Sequence, residues 1–154
     1  MSTRAFELST RVPVAPEVAI DFLSDLAAHH GMHPYLVEAS VVGSGADEGG
    51  PWTDWQIVER PALGPFRYTI RFPARMHRTS PTAMTGDVLA AHGCTLVTST
   101  RAVPDGAGAV VTESTTVTAP ALLVGYMAKH ARLAHERTYS LLAGELAGRD
   151  AAGR

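Results

Sequence analysis

The sequence predicts a single α+β domain: a curved antiparallel sheet of seven strands wrapped around a long C-terminal helix, with one or two short helices after the first strand. Three observations carry this. Residues 66–72 (FRYTIRF) alternate apolar and polar, the mark of a strand with one wet face. Residues 121–148 contain no proline and place Val124, Ala128, Ala131, His135, Tyr139, Leu142 and Leu146 on one helical stripe. Between the termini, short strand-like runs follow one another across Gly, Pro and Asp turns, with no internal repeat and no linker.

The elements follow in order. Residues 5–12 alternate, with Phe6, Leu8 and Val12 on one side. Pro16 and Glu17 open a helix whose apolar positions are Val18, Ala19, Phe22, Leu23 and Leu26; Gly31 and Pro34 end it, and a brief second helix is expected after Gly31. Strand two covers 36–43, the Gly-rich stretch 43–51 reads as a loop, strand three covers 53–60, and 61–65 turns the chain. Strand four is 66–72, strand five 83–90, strand six 94–103 and strand seven 109–118, with 104–108 (PDGAG) as the last turn. In the final helix Leu123, Met127, Ala134 and Leu141 widen the stripe, while Lys129, Arg132, Glu136, Arg137 and Ser140 lie opposite. The domain is expected to span 1–148, with 149–154 a frayed tail.

Bulk properties exclude several classes. The 154 residues suit one domain, and 45% hydrophobic with 18% charged residues is a globular composition. A net charge of −2 with no basic tract lacks the footprint of a nucleic-acid binder. Cys94 is the single cysteine, so no intramolecular disulfide forms. Residues 1–11 hold no apolar signal segment and no run reaches membrane-spanning length, so a cytoplasmic location without stable membrane insertion is expected, as monomer or homodimer. Lys129 is the only lysine and asparagine is absent, a compositional mark of GC-rich bacterial coding.

Local segments carry a family resemblance. Ala15-Pro16-Glu17-Val18 followed by Phe22-Leu23-Ser24-Asp25-Leu26, then His33-Pro34, then 93–103, the Asp105-Gly106 turn and 110–118, and finally 138–146 with Tyr139, Leu142 and Leu146, resemble the START-like or SRPBCC superfamily from about Phe6 to Leu146. That superfamily includes polyketide cyclases, plant pathogenesis-related proteins, coenzyme-Q-binding proteins and lipid-transfer domains. The usual tryptophan of the first helix region is missing, and Trp52 and Trp55 stand at strand three instead. The resemblance implies the helix-grip fold. It implies no one function, because this scaffold hosts many.

A bent sheet cannot lie flat on one helix, and Ala128, Ala131 and Ala134 leave the N-terminal half of the helix stripe short of bulk. A cavity is expected there, closed off by Tyr139, Leu141, Leu142 and Leu146 in the other half. The candidate ligand-binding residues are Phe22, Leu26, Tyr35, Trp55, Ile57, Tyr68, Ile70, Phe72, Met84, Val88, Met127, Ala131 and His135. His135 is the candidate for chemistry: a histidine on an apolar stripe is either a satisfied core residue or a pocket acid or base, and a His135→Ala variant is expected to keep the fold. His130 lies at the stripe's edge. His29 and His33 share a helical face only if the helix runs through Gly31; no metal site and no cofactor are expected, since HExxH and further ligands are lacking. Asp87 would face inward only if strand five has the opposite parity.

Three functions follow. The first is binding of a hydrophobic small molecule, such as a lipid, quinone or polyketide-like compound, and an open, purely apolar cavity would favour it. The alternative is a cyclase/aromatase-like enzyme, favoured by polar groups converging in the cavity. A cavity below about 300 Å³ would favour an interaction module with a filled core.

Overall fold

The computed structural model describes residues 1–153, apart from the side chain of Leu63. The elements run β1 (Ser2–Val12), α1 (Pro16–Ser24), a 3-10 turn (Leu26–His29), β2 (Leu36–Asp47), β3 (Gly50–Glu59), β4 (Ala62–Leu63), β5 (Phe66–Arg67), β6 (Ile70–Ser80), β7 (Ala83–Leu89), a second 3-10 turn (Ala91–Gly93), β8 (Thr95–Asp105), β9 (Gly108–Ala119) and α2 (Val124–Ala152). Seven strands form one curved antiparallel sheet in the order β1-β9-β8-β7-β6-β3-β2, and β4 pairs with β5 in a separate hairpin.

Strand parity decides what faces the helix. Trp55, Ile57 and Val58 are buried on β3, Met84 on β7, Thr98, Thr100 and Ala102 on β8, and Ala109, Val111, Glu113, Thr115, Val117 and Ala119 on β9. Helix α2 packs closest on β1 and β9, at one edge of the sheet order. Its C-terminal half contributes Tyr139, Leu142 and Leu146 to a core shared with Ile20 and Leu23 of α1, Val12, Ala102 and Val111. Its N-terminal half packs Val124, Met127, Ala128 and Ala131 with Cys94, Val117 and Ala119. A third cluster, Trp55, Ile57, Phe72 and Ala74, sits on β3 and β6. The sheet therefore holds apolar surface at both ends of the helix, with a gap between α2 and strands β3 and β6.

Several expected boundaries move. Helix α1 stops at Ser24 because Asp25 leaves the helical region (φ −92°, ψ 91°) and its side chain accepts the Ala27 N–H at 3.2 Å; the short second helix precedes Gly31 rather than following it. The stretch read as a loop, 43–51, is largely strand: β2 and β3 form a hairpin closing at Asp47↔Gly50, where Gly50 has φ +106° and Asp47 accepts the Gly49 N–H at 2.8 Å. Gly45 is needed inside β2 because a Cβ there would lie 2.6 Å from the Trp52 ring.

The alternating run 66–72 is not one strand. Gly64 (φ +59°) turns the β4–β5 hairpin, and the long strand β6 starts only at Ile70, where it pairs with Glu59. The continuation through 73–80 escaped sequence reading because Pro73 interrupts a polar run. Pro73 pairs with Gln56 of β3, while pairing to β7 begins one residue later, at Ala74↔Val88, so on that side Pro73 stands at an unpaired edge. Asp87 is exposed, which settles the parity of β7 with Met84 and Val88 inward. Leu141 is 40% exposed, and Thr138 takes the inward place on α2. The expected frayed tail is helical through Ala152, where Arg149 pairs with Glu145 and lies 4.8 Å over the Phe22 ring; Arg154 lies outside the described residues.

Leu142 is fully buried where α2 meets α1 and β9. Leu142→Ala is expected to lower stability by about 3 kcal/mol, read from the urea midpoint at unchanged m-value.

Candidate functional site

The gap under α2 is a cavity of about 220 Å³. Its walls are apolar: Leu23, Leu26 and Leu36 on one side, Ile57, Ile70, Phe72, Ala74, Met76, Met84, Val88 and Leu96 across the sheet, and Met127, Ala131 and Ala134 from α2. Tyr35, Tyr68, Tyr126 and His130 also line it and bond in pairs, Tyr35 Oη to His130 Nδ1 at 3.2 Å and Tyr68 Oη to Tyr126 Oη at 3.4 Å. Tyr68 and Tyr126 are 39% and 36% exposed, which puts the mouth of the cavity at this end. A second hollow of about 400 Å³ lies between α1 and the end of α2, lined by Val18, Phe22, Asp21, Asp25, Arg149 and Asp150 among others. It is larger and is edged with charges.

The lining of the first cavity also holds an acid–imidazole cluster: Glu59, Glu113, His29, His33 and His135. Glu113 projects from the middle of β9 and accepts hydrogen bonds from His135 Nδ1, from Thr115 Oγ1 at 2.9 Å and from Tyr139 Oη at 3.3 Å. Burial alone would push the Glu113 carboxyl up; the facing His135, with the two hydroxyl donors, holds it below its ordinary value. Burial likewise opposes charge on His135, and the Glu113 carboxylate overrides it and raises the imidazole. The result is a buried ion pair joining sheet to helix.

A second pair sits beside the first. His33 Nε2 lies 3.4 Å from Glu59 Oε1, with the two side chains 19% and 17% exposed. Burial pushes Glu59 up to about 7, partly opposed by His135; burial, with the nearby His135 and His29, pushes His33 down to about 3. Near neutrality His33 is therefore a neutral imidazole while Glu59 titrates beside it. The His33 ring is 6.4 Å from the His135 ring, centroid to centroid. His29 bonds through Nε2 to the Phe22 carbonyl at 3.2 Å and is lowered by burial. Among the described residues no group of three or more His, Cys, Asp or Glu could hold a metal ion. The chemistry this arrangement offers is proton transfer and hydrogen bonding to a polar atom of a bound molecule.

No family model and no curated protein matches the chain. Solved structures do. TTHA0849 from Thermus thermophilus is 18% identical with a TM-score of 0.73, over 95% of this chain and 99% of that one. The di-domain ARO/CYC StfQ from the steffimycin biosynthetic pathway is 12% identical with a TM-score of 0.72; the match covers 97% of this chain and 52% of StfQ. The Zhui aromatase/cyclase from Streptomyces sp. R1128 is 13% identical with a TM-score of 0.65, over 96% and 93%. The chain has the helix-grip fold.

In this helix-grip chain, the cavity gathers Leu26, Tyr35, Ile57, Tyr68, Ile70, Phe72, Met84, Val88, Met127, Ala131 and His135 from the residues expected on sequence grounds. Two do not belong. Phe22 turns outward from the cavity to the groove under Arg149, and Trp55 is buried beyond the cavity against Ile57, Phe72 and Ala74, with its indole N–H unpaired among the described residues. Both are large aromatics on inward positions, and that signal does not separate wall from filled core. His29 and His33 reach the cavity without sharing a helical face, since Gly31 (φ +87°) breaks the chain direction between them. Cys94 is buried, which raises its thiol, as suits a packed residue.

Sequence reasoning missed Glu59 and Glu113. The signal was there: counting by twos from Val111 puts Glu113 inward, and counting from Ile57 puts Glu59 inward. A carboxylate on the apolar face of a strand is the observation that singles out each.

The two acids pull stability in opposite directions with pH. The folded pKa of Glu113 is depressed, so its contribution is present above the unfolded carboxylate value and is lost as pH falls through the folded one; that of His135 is raised, so its contribution is present at low pH and fades as pH rises through the folded value. Glu59 is raised from 4.5 to about 7, so the folded chain holds the extra proton in that window and stability declines across it as pH rises. Glu59→Gln is therefore expected to be more stable than the parent at pH 8 by on the order of 2 kcal/mol, the gain vanishing near pH 4.5, as measured by urea denaturation against pH.

His135→Ala, expected on sequence grounds to keep the fold, strands the buried Glu113 carboxylate. It is expected to lose about 3 kcal/mol near pH 6, while the double variant with Glu113→Gln recovers part of the loss, read from thermal and urea unfolding.

Proposed function

We propose that the chain binds a compact, mainly apolar molecule of one or two rings in the cavity beneath α2, with the polar end of the ligand against Glu59, His33 and His135. The observation that carries this reading is unfilled space with apolar walls that runs from a tyrosine-lined mouth to titratable side chains. The volume of about 220 Å³ lies under the threshold of about 300 Å³ at which a filled-core module was to be preferred. It narrows the ligand and leaves the ligand reading standing, since a filled core would cover Glu59 and His33. At interior packing density it holds roughly a dozen non-hydrogen atoms, which suits a small ring compound and leaves out a long lipid or prenyl chain. A soluble carrier role and a cytoplasmic setting belong to the same reading.

The test uses 1-aminonaphthalene, a neutral two-ring fluorophore, together with native mass spectrometry of freshly purified protein. Saturable fluorescence enhancement is expected, and Ala131→Trp, which fills the space under α2, should weaken it by more than about tenfold while the circular dichroism spectrum is kept. No enhancement with the parent protein and no co-purifying compound would sink the binding reading.

A second reading, catalysis of the aromatase/cyclase kind, is favoured by one observation: the Glu59–His33 pair beside the His135 imidazole. Two of the fold neighbours are named as such enzymes. Ring closure of a polyketone needs a C–H next to a carbonyl to lose a proton while the oxygen gains hydrogen-bond donation. Here Glu59 would take the proton from carbon and His135 would donate to the oxygen, giving the enol with no change in oxidation state. Deuterium uptake by 2-tetralone in D₂O, followed by proton NMR, should be accelerated by the protein and reduced by at least about 100-fold in Glu59→Gln. Exchange equal in parent and variant would remove Glu59 from any such role.

A further inference from the structure

We propose that the rim of the cavity mouth docks on the surface of an anionic lipid bilayer. Two segments build this rim, residues 60–72 and 120–132, and they meet where Tyr68 Oη bonds Tyr126 Oη at 3.4 Å. Each carries large apolar side chains in water: Phe66 is 73% exposed, and Leu122 and Leu123 are 97% and 38% exposed. Single exposed apolar residues are ordinary, but here they lie within a few residues of Tyr68 and Tyr126, the bonded pair of the cavity lining.

Each apolar group lies in or next to a turn. Phe66 follows the Gly64-Pro65 turn, and Leu122 lies in the turn that precedes α2. Exposed apolar turns of this kind suit a bilayer interface, which yields to the shape pressed into it, better than a rigid protein partner that must match them. Tyr68 and Tyr126 add side chains with an apolar body and a polar end, the type that settles at the level of lipid headgroups.

The charge of the two segments identifies the lipid. Arg60, Arg67 and Arg71 on one segment and Lys129 on the other are exposed, and among the described residues none of the four has an acidic partner. Arg132 is the one basic side chain of these segments held in an ion pair, with Glu136 at 2.6 Å. Neither segment contains an Asp or a Glu, in a chain whose net charge is −2. The two segments thus carry only basic charge beside exposed apolar side chains on an otherwise slightly acidic molecule. Such a surface joins apolar burial at the headgroup boundary to attraction for anionic lipid. Among the described residues no helix is long and apolar enough to cross a membrane.

The experiment is co-sedimentation with vesicles of phosphatidylcholine alone and of phosphatidylcholine with about 30% phosphatidylglycerol, a composition rich enough in anionic lipid to give a surface potential. The parent chain should sediment with the anionic vesicles and much less with the neutral ones. Phe66→Ser and Leu122→Ser should each lower the partition coefficient by about tenfold, as removal of one large apolar side chain from an interface predicts. The pair Arg67→Gln with Lys129→Gln should remove most of the preference for anionic lipid and most of the salt dependence. All of these positions are exposed, and 1-aminonaphthalene binding by the same variants reports the cavity separately, so loss of docking and loss of ligand binding are read apart. Failure of the parent to sediment with anionic vesicles, or sedimentation unchanged by the Ser variants, overturns the proposal. Basic-residue-dependent binding to an acidic protein in place of vesicles overturns it as well.

Discussion

A carboxylate in the middle of an apolar sheet face is the constraint around which this molecule is arranged. Glu113 cannot stay charged there without a counter-charge and hydrogen-bond donors, and it finds all of them: the His135 imidazole and the Tyr139 hydroxyl from α2, and Thr115 from its own strand. Two of the three partners lie one turn apart on the last helix. That fixes both the height of α2 over the sheet and its rotation, since any turn of the helix that removes His135 leaves a buried charge uncompensated.

With the helix held at β9, its small side chains decide what happens further across the sheet. Ala131 and Ala134 do not reach Ile57, Phe72 and Ala74, and the space between them stays open. The bulky Tyr139, Leu142 and Leu146 fill the opposite half against α1. The fold thus stores stability at one end of α2 and leaves room at the other. The ion pair stands at the border between the two, where it serves packing and also presents His135 to the space. The neighbouring Glu59–His33 pair follows a different logic. It has no strong counter-charge, so burial leaves it close to neutral and able to give or take a proton near pH 7.

Much of the scaffold was legible because its signals are periodic. The period-two pattern marked β1, strand-like runs between turn residues marked β7, β8 and β9, and the helical stripe marked α2, including the place of His135 on its inner side. What failed to show was local. Pro73 hid the long middle of β6, since the absence of a β7 partner at that residue belongs to the sheet and not to the sequence. Glycines made 43–51 look like a loop, although Gly45 is there to let the Trp52 ring lie against the strand. Phe22 and Trp55 have the same chemistry as true wall residues, and only packing separates them.

The sequence by itself determined the class of the domain, the order of its elements and the small-residue segment of α2, because hydrophobic periodicity and turn chemistry act over a few residues. It also held the two inward carboxylates, once strand parity is followed to its end. Only the tertiary structure decided that Glu113 meets His135, that Glu59 meets His33, and that residues 60–72 and 120–132 share one mouth. Those meetings join positions far apart in the chain, and register across several strands, which no local pattern encodes, sets the distances at which charges pair or burial keeps them neutral.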